Sequence, residues 1–476
     1  MTDKKNEPNE TRLATESRLA TTDEHGSRVY IHPEDITGKW KTLRSRFYWF
    51  LIILYLVLPW VYIDGKQWIL LNISKREFTI FGNIFYGHDG PLLLFVVLGF
   101  VILMAFITSI WGRVWCGWAC PQTVFIDALY RKAERLIEGK ARQRKDLDNQ
   151  PWNLNKIVKK SLKWISFILI SLHITHSFLG YFVGTRELFQ ISLHNPSDNW
   201  TLFITMLVIS GILLFDFGWF KEQFCIIACP YGRFQSVSMD DNSLIVAYDY
   251  NRGEPRREKG LPADKEGDCI NCNHCVKACP TGIDIRQGTQ LECIACTMCI
   301  DACDNIMRKV QKPEGLIRYT TENKLTGKPA EKYHIRSAFY LIFLGAIIYG
   351  LIFSLNSRLE LKAQFLRTSK TPYQVINKNI ENPTIINHYT LKISQPGLNK
   401  IPFKVIAGKG FEKDIVLSMP EDIVMMKEDN FKMPVFFKFK KNYLDLGKKK
   451  VNIEIINTEN KMIITTIEVN LVGPIR

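Results

Sequence analysis

Eight cysteines fall in two runs with the same 2-2-3 spacing, and this spacing is the strongest chemical signal in the sequence. The first run holds Cys269, Cys272, Cys275 and Cys279, and the second holds Cys293, Cys296, Cys299 and Cys303. Runs of this kind ligate pairs of [4Fe–4S] clusters, and the fourth cysteine of each run ligates the cluster of the other run. The rule predicts two ligand sets: Cys269, Cys272, Cys275 and Cys303, and Cys279, Cys293, Cys296 and Cys299.

A pair of zinc sites is the alternative for eight thiolates. Structural zinc sites usually join two separated Cys-x2–4-Cys units, so a duplicated 2-2-3 spacing disfavours zinc. The two runs differ at one following position, where Asp304 stands in place of the proline at Pro280. We expect Asp304 to change the reduction potential through charge and hydrogen bonding near the sulfurs, without changing the number of ligands.

Four further cysteines form two Cys-x3-Cys-Pro segments that look like an internal repeat. They are Cys116, Cys120, Cys225 and Cys229. If the preceding apolar helix continues through each segment, its two cysteines share one helix face and the proline helps to end or turn the helix. Two such helix ends side by side would bring four thiolates together, which could bind Cu(I), a further iron–sulfur cluster or zinc, or cycle between dithiol and disulfide. The duplication disfavours cysteines that only fill helix contacts.

Five nearly uncharged apolar stretches predict the transmembrane helices that position these cysteines. They are 47–63, 91–111, 164–183, 200–220 and 337–356. At about 1.5 Å per residue, each can cross a hydrocarbon core of about 30 Å. Residues 1–46 are polar, carry charges of both signs and have no apolar core of a signal peptide. We therefore predict a largely disordered cytoplasmic tail followed by a retained first helix.

The distribution of lysine and arginine predicts the orientation. Segments 112–160 and 221–336 hold eleven and seventeen of these residues, whereas 64–90 and 185–199 hold three and one. The basic segments face the cytoplasm by the positive-inside rule, which puts residues 357–476 outside. All twelve cysteines then lie on the reducing side, where metal or redox chemistry is expected rather than disulfides. The same rule accounts for the net charge of +15, so no nucleic-acid partner is predicted.

Three polar residues within the predicted helices are weaker candidates. His173 and His176 lie one turn apart on one helix face, which cannot supply ligands to both sides of a haem; structural hydrogen bonding and a metal or quinone contact stay open. Asp216 is an intramembrane carboxylate, a kind of residue that normally has a partner or a role.

The predicted fold is a multi-domain membrane protein with five transmembrane α-helices. Residues 47–230 form a membrane domain with four helices, 231–336 a cytoplasmic ferredoxin-like α+β domain with two clusters, and 337–356 the fifth helix. In residues 357–476, short β-rich runs alternate with turn residues, which predicts an all-β sandwich of immunoglobulin-like type in the periplasm. This domain holds no cysteine, and contact with a partner is its expected role.

Five motifs resemble the FixG/RdxA/CcoG family, the cytochrome c oxidase accessory proteins of bacteria. They are GRVWCGWACPQTVF, FCIIACPYGRFQ, AYDYNRGEPRR, CINCNHCVKACPTGIDIRQG, and LECIACTMCIDACDNIM followed by GLIRY. The resemblance covers roughly residues 46–355. It implies a protein of the bacterial inner membrane that helps to assemble cbb3-type cytochrome oxidase by reducing Cu(II) to Cu(I), with the eight ferredoxin cysteines and the two Cys-x3-Cys-Pro pairs as its site residues. The implied partners are oxidase subunits or a copper transporter or chaperone, and an unidentified electron donor. The second run of this family also commonly lacks the proline.

Two other functions compete with cupric reduction. A quinol-linked ferredoxin subunit of a respiratory chain would also pair Cys-x3-Cys-Pro motifs with two cluster runs. A non-enzymatic assembly factor would hold Cu(I) tightly and use its clusters for structure alone. Because the sequence has no glycine-rich nucleotide motif, a flavin or nicotinamide would have to act through another protein.

Overall fold

The computed structural model describes residues 21, 28–63, 65–81, 83–86, 90–258, 262, 265–329, 335–356, 362–367, 373–376, 382–394, 402–408, 411, 414–419, 430–458 and 462–474. The predicted disorder of residues 1–20 and 22–27 lies outside these ranges. Contacts divide the chain into two compact units. The first combines Met1–Asn72 with Leu93–Leu351, and the second combines Ile73–Leu92 with Ile352–Arg476.

Five long helices lie close to the five predicted positions. Their bounds are Lys39–Val57, Gly90–Trp111, Leu154–Val183, Trp200–Leu213 and Ile335–Asn356. A π-helical segment, Leu214–Phe220, continues the fourth helix. In the part of the chain that the structure describes, all five regions are long and apolar enough to span a bilayer. These helices indicate a membrane protein.

Two of the helices begin earlier than the sequence predicted, at Lys39 instead of 47 and at Leu154 instead of 164. Average hydropathy takes no account of the side chains that cap a helix, so it does not detect these polar first turns. Asp301 accepts hydrogen bonds from the backbone N–H groups of Trp40 (3.2 Å) and Lys41 (2.6 Å). The Asn153 side chain caps the third helix in the usual way for an N-cap residue. Residues 39–46 of the predicted disordered tail are therefore helical.

An aromatic core joins the first, third and fourth helices to the segment after the first Cys-x3-Cys-Pro pair. That segment consists of Pro121–Phe125, the π-helical Ile126–Tyr130 and Arg131–Glu138. The core is formed by Tyr48, Phe125, Tyr130, Phe167 and Phe217, with smaller aliphatic side chains around them. The Tyr130 hydroxyl lies 2.7 Å from the hydroxyl of Ser171 on the third helix. The segment is thus fixed by packing and by a buried hydrogen bond.

The cysteine-rich part of the first unit is a small α+β arrangement. Strand Ile245–Tyr248 pairs antiparallel with Ile317–Thr320. Each cysteine run leads into a helix, His274–Ala278 in the first run and Met298–Lys309 in the second. These elements pack around a core that includes Ile300, Met307 and Leu316 and that reaches several of the cysteines.

The C-terminal region is β-rich, as the sequence predicted. One sheet holds Lys362–Arg367, Gln374–Ile376, Thr384–Ser394, Val416–Ser418 and Asn430–Lys440, and a second holds Phe403–Ala407, Lys448–Asn457 and Ile463–Val472. Inward side chains of both sheets share one core, with Phe437, Leu391 and Ile453 fully buried. The same compact unit contains the hairpin of Glu77–Ile80 with Asn83–Tyr86. Further short strands are Tyr62–Ile63, Lys66–Gln67 and Ile69–Asn72.

Candidate functional site

The two cysteine runs form loops with the same backbone geometry. Asn271 and Asn273 in the first loop have positive φ angles of 54° and 57°, and Ala295 and Thr297 at the equivalent positions of the second have 51° and 63°. Positive φ is uncommon for residues other than glycine, and such residues concentrate at functional sites. The internal repeat in the sequence is therefore a structural repeat, in which the chain turns tightly around each group of thiols.

The fourth cysteine of each run lies with the cysteines of the other run. The Cys303 thiol interacts electrostatically with Cys275, Cys269 and Cys272. In the second group, Cys299 interacts with Cys296, Cys293 and Cys279, and also with Cys275 of the first run. The structure thus brings the fourth cysteine of each run to the other run, and the assignment of each four cysteines to one cluster stays a prediction. We refer to Cys269, Cys272, Cys275 and Cys303 as the first set and to Cys279, Cys293, Cys296 and Cys299 as the second set.

The donor groups fit [4Fe–4S] clusters better than single metal ions. Among the described residues, no three Cys, His, Asp or Glu side chains converge on one point as ligands of a single ion would. A cubane needs a different arrangement, because each thiolate binds a separate iron at its own corner. Each predicted set takes three thiols from one tight loop and the fourth from the other run, which meets that requirement. Cys275 and Cys296 are only 8% exposed. None of the twelve cysteines, all of which the structure describes, forms a disulfide.

The first Cys-x3-Cys-Pro segment corrects the prediction of a continuous helix. Cys116 lies in the short helix Val114–Trp118, but Cys120 is extended, with φ −63° and ψ 126°, and precedes a new helix at Pro121. The physical reason is that proline disfavours the helical conformation in the residue before it and suits the first position of the next helix. The proline therefore starts a helix here, and the two thiols do not share one helix face.

The second segment has the same design. Cys225 lies in the π-helical segment Phe224–Ala228, and Cys229 is extended, with φ −72° and ψ 113°. Pro230 then begins the helix Pro230–Ser238. In both segments the second cysteine occupies the N-cap position, which turns it away from the helix that carries its partner. The two segments therefore share one backbone geometry. That geometry differs from the continuous helix that the spacing alone suggested.

The four thiols of these segments lie close together. Cys225 interacts electrostatically with Cys120, Cys116 and Cys229. Burial, with a contribution from Cys120, raises the pKa of the Cys116 thiol to about 12, although the side-chain carbonyl of Gln235 accepts its hydrogen bond at 3.3 Å. The predicted meeting of the two segments is therefore present. We call this group the thiol quartet.

The intramembrane carboxylate Asp216 belongs to the surroundings of the thiol quartet. Its Oδ1 accepts a hydrogen bond of 2.9 Å from the side-chain amide of Gln122, which follows the first pair by two positions. Asp216 thus has a partner, as expected for a carboxylate in a membrane helix. His173 is exposed and His176 half-buried on Leu154–Val183, and the contacts of the described residues give neither a part in the cysteine sites.

The thiol quartet packs directly against the second set. Cys116 and Cys225 contact a buried cluster that contains Ala278, Ile294 and Cys296. A Cβ atom on Gly117 would lie only 2.6 Å from the carbonyl oxygen of Ala295. Because real Cβ atoms do not approach an oxygen so closely, the residue between Cys116 and Trp118 must be glycine for the two backbones to touch.

Several residues of this contact were not singled out from the sequence. Arg113 donates to the carbonyl oxygen of Cys293 (3.1 Å), and Arg44 donates to that of Cys296. Tyr319 joins the two regions by hydrogen bonds on both sides. The signals that could have found Arg113, Gly117 and Tyr319 are their places within the quoted motifs GRVWCGWACPQTVF and GLIRY. Arg44 stands outside every motif and carries no such signal.

Comparisons with known proteins relate this chain to iron–sulfur proteins. A family described as "4Fe-4S dicluster domain" matches residues 220–322, and one described as "4Fe-4S binding domain" matches residues 92–142. Protein RdxB of Cereibacter sphaeroides is 36% identical over 377 residues, which cover 76% of each chain. Protein RdxA of the same organism is 35% identical over 70% of this chain and 73% of its own. Nitrogen fixation protein FixG of Rhizobium meliloti is 36% identical over 62% of this chain and 57% of its own.

A solved structure of a FixG-related protein from Vibrio parahaemolyticus covers 24% of this chain and 96% of its own, with 10% identity and a TM-score of 0.19. That similarity is too weak to inform the fold. The sequence identity to the two Cereibacter proteins extends over most of both chains, and the two iron–sulfur families match regions that contain the cysteines. The chain is an iron–sulfur electron-transfer protein and belongs to the FixG/RdxA family.

Proposed function

We propose that this protein reduces Cu(II) to Cu(I) at the thiol quartet and that the Cu(I) serves the assembly of cbb3-type cytochrome oxidase. The observation that carries the proposal is that Cys116 and Cys225 both contact the buried core around Cys296. This contact brings soft thiols next to a set of cluster ligands. Soft thiolates favour Cu(I), and two of them suffice to hold it, so product binding at the quartet favours reduction.

In this proposal each of the two sets of cysteines holds one [4Fe–4S] cluster. Such a cluster supplies single electrons at low potential when bound. Reduction of each Cu(II) ion consumes one electron, and a one-electron donor replaces it. The chain's own residues provide the path and the product site. Gly117 permits close backbone contact, and the buried Cys116 thiol loses its proton to a solvent base when it binds the metal ion.

The proposed setting is the bacterial inner membrane, with the N-terminus and all twelve cysteines in or next to the cytoplasm. The basic segments around the cysteine motifs support this orientation. Residues 357–476 then form a periplasmic, immunoglobulin-like domain that contacts oxidase subunits or a copper transporter or chaperone. Its absence of cysteines and its two-sheet core support this part of the proposal.

A second candidate is a third iron–sulfur cluster on the thiol quartet. One observation favours it: the family described as "4Fe-4S binding domain" matches residues 92–142, where Cys116 and Cys120 are the cysteines present. Such a cluster would suit a quinol-linked electron-transfer subunit. The two candidates differ in iron content, because two clusters of four irons require eight per chain and a third cluster requires twelve.

The test replaces single thiols of the quartet and keeps both cluster sets. We expect Cys116→Ser and Cys229→Ser to abolish the reduction of Cu(II), measured with a dye that chelates Cu(I), and to leave the iron content at eight atoms per chain. Ala119→Ser, which adds a hydroxyl between the two cysteines of the first pair, is the matched control and keeps its rate. Undiminished copper reduction in Cys116→Ser and Cys229→Ser would remove the quartet from the reaction. A loss of four irons in either variant would favour the third cluster.

A further inference from the structure

The two sets of cluster ligands differ in their access to solvent. Cys272 of the first set is exposed, whereas no member of the second set is exposed, and Cys296 is 8% accessible. An electron carrier in solution can therefore come closer to the sulfurs of the first set. The four members of the second set are buried or half-buried.

The second set is also the set that touches the thiol quartet. A Cβ on Gly117 would meet the carbonyl oxygens of Ala295 at 2.6 Å and Ile294 at 2.7 Å, both of which lie in the loop between Cys293 and Cys296. This approach is possible only without a side chain, because a Cβ normally stays well beyond 3 Å from an oxygen. The backbone next to Cys116 is thus in van der Waals contact with the loop of the second set.

Hydrogen bonds hold the two loops together at this point. The indole N–H of Trp118 donates to the Tyr319 hydroxyl at 3.0 Å, and that hydroxyl donates to the Ala295 carbonyl oxygen at 3.2 Å. The Tyr48 hydroxyl donates to the carbonyl oxygen of Gly117. The contact is therefore a bonded bridge between the segment of the first pair and the loop of the second set.

One positive charge, that of Arg113, acts on both groups of sulfur atoms. Arg113 interacts electrostatically with the Cys116 thiol and with the Cys293 thiol, and it donates to the Cys293 carbonyl oxygen at 3.1 Å. A fixed cation near both groups stabilises negative charge on either side, so an added electron is not driven away from the contact.

The first set has different surroundings. Burial and the charge of Arg286 act on Cys275, and Tyr248 contacts Cys269. Arg286 is itself paired with Asp284 at 2.6 Å and donates to Asn271 at 2.9 Å. These groups belong to the cysteine-rich domain and hold the first loop, not the quartet.

We infer that electrons enter at the first set, pass to the second set and leave for the thiol quartet across the Gly117–Ala295 contact, with Gly117 as the positioning residue. Each step moves one electron and no atom, and a one-electron carrier in solution supplies the electron at Cys272. The inference rests on the proposed function for its acceptor, but the order of the sites does not depend on copper.

The first experiment tests the order without copper. A nitroxide-bearing amino acid is incorporated in place of Cys116 in full-length protein that carries Cys120→Ser, Cys225→Ser and Cys229→Ser, so that thiols released by the loss of a cluster stay unlabelled. With the clusters reduced, we expect relaxation enhancement of the label to persist after Cys272→Ser, which removes the first cluster, and to be lost after Cys296→Ser, which removes the second. Iron analysis of each protein confirms which cluster is absent. The reverse pattern, or equal enhancement from both clusters, overturns the order.

The second experiment tests the positioning role of Gly117. Gly117→Ala forces the backbones apart, and we expect the oxidation of the reduced clusters by Cu(II), followed by freeze-quench EPR, to slow about tenfold or more. Gly211→Ala is the matched control, because a Cβ there meets nothing within 4 Å. An unchanged rate in Gly117→Ala, with the iron content intact, refutes the role.

Loss of iron in Gly117→Ala, or a lack of copper reduction in native protein, would each call for a different test. If Gly117→Ala loses iron, Trp118→Phe replaces it as the test, since this change removes the indole donor to Tyr319 and leaves the backbone contact sterically open. The rate should then fall while iron stays constant, and an unchanged rate counts against the bridge. If native protein does not reduce Cu(II) at all, the proposed function fails, and the label experiment alone decides the order of the sites.

Discussion

Asp127 forms ion pairs between the first helix and the segment Ile126–Tyr130, which follows the first Cys-x3-Cys-Pro pair. Its carboxylate lies 2.7 Å from Lys41, 2.8 Å from Arg44 and 3.5 Å from Arg131, and its side chain is 7% exposed. Burial alone would raise the pKa of Asp127, but the three cations hold it well below its usual range. Its contribution to stability is therefore fully present above the ordinary carboxyl pKa and is lost as the pH falls. At neutral pH the ionised carboxylate compensates the positive charges of the three cations.

Removing this carboxylate should destabilise the protein strongly. We expect Asp127→Ala to lower the free energy of unfolding by about 3 to 5 kcal/mol, the usual effect of leaving buried charges without their partner. The measurement is denaturant unfolding in detergent at neutral pH, followed by tryptophan fluorescence. Asp146→Ala, at an exposed carboxylate, is the control and should change stability by less than about 0.5 kcal/mol. A loss at Asp127 no larger than in the control would show that the ion cluster contributes no stability.

At the scale of elements, the first helix is capped by the cysteine-rich domain. Asp301 lies on Met298–Lys309 and is 2% exposed, and its two carboxylate oxygens accept from the first turn of Lys39–Val57. A carboxylate at this position satisfies free N–H groups and compensates the positive end of the helix dipole. The Asp301 side chain therefore couples the start of the first helix to the second cysteine run, in addition to the hydrogen bond from Arg44 to Cys296.

Loss of this cap should loosen the start of the first helix. We expect Asp301→Ala to cost about 1 kcal/mol and to raise the hydrogen-exchange rate of the Trp40 and Lys41 amides several-fold, whereas Asp301→Asn keeps an acceptor and changes less. Mass spectrometry of peptides that span residues 39–46 gives the measurement. Equal exchange in native protein and in Asp301→Ala would mean that other groups cap the helix.

The sequence predicted the helices, the iron–sulfur region and the β-rich region because each has a signal of its own. Apolar length locates a span, and the 2-2-3 spacing locates the cluster loops. It missed contacts between distant segments. The start of the first helix depends on Asp301, and the place of Gly117 depends on Ala295, and neither pair is linked by a local pattern. The geometry at Cys120 was predicted wrongly although its signal, the following proline, was present.

For the molecule as a whole, the proposed orientation separates the cysteines from the C-terminal unit. The sequence has no cysteine from residue 357 onward, so one introduced thiol there can be observed alone. We expect a membrane-impermeant maleimide to label Lys450→Cys in intact spheroplasts, since the Lys450 side chain is 69% exposed. Native protein and Arg142→Cys should react only after the membrane is permeabilised. Labelling of Arg142→Cys before permeabilisation would reverse the topology.

The most direct test of the central claim follows electrons and copper together. Protein purified without oxygen in detergent is reduced, its EPR spectrum is recorded, and Cu(II) is added with a dye that chelates Cu(I). We expect the cluster signal to disappear as one Cu(I) ion appears per electron lost. Clusters that stay reduced beside unreacted Cu(II) would contradict the central claim, and reoxidation by a quinone in the same sample would identify the other acceptor.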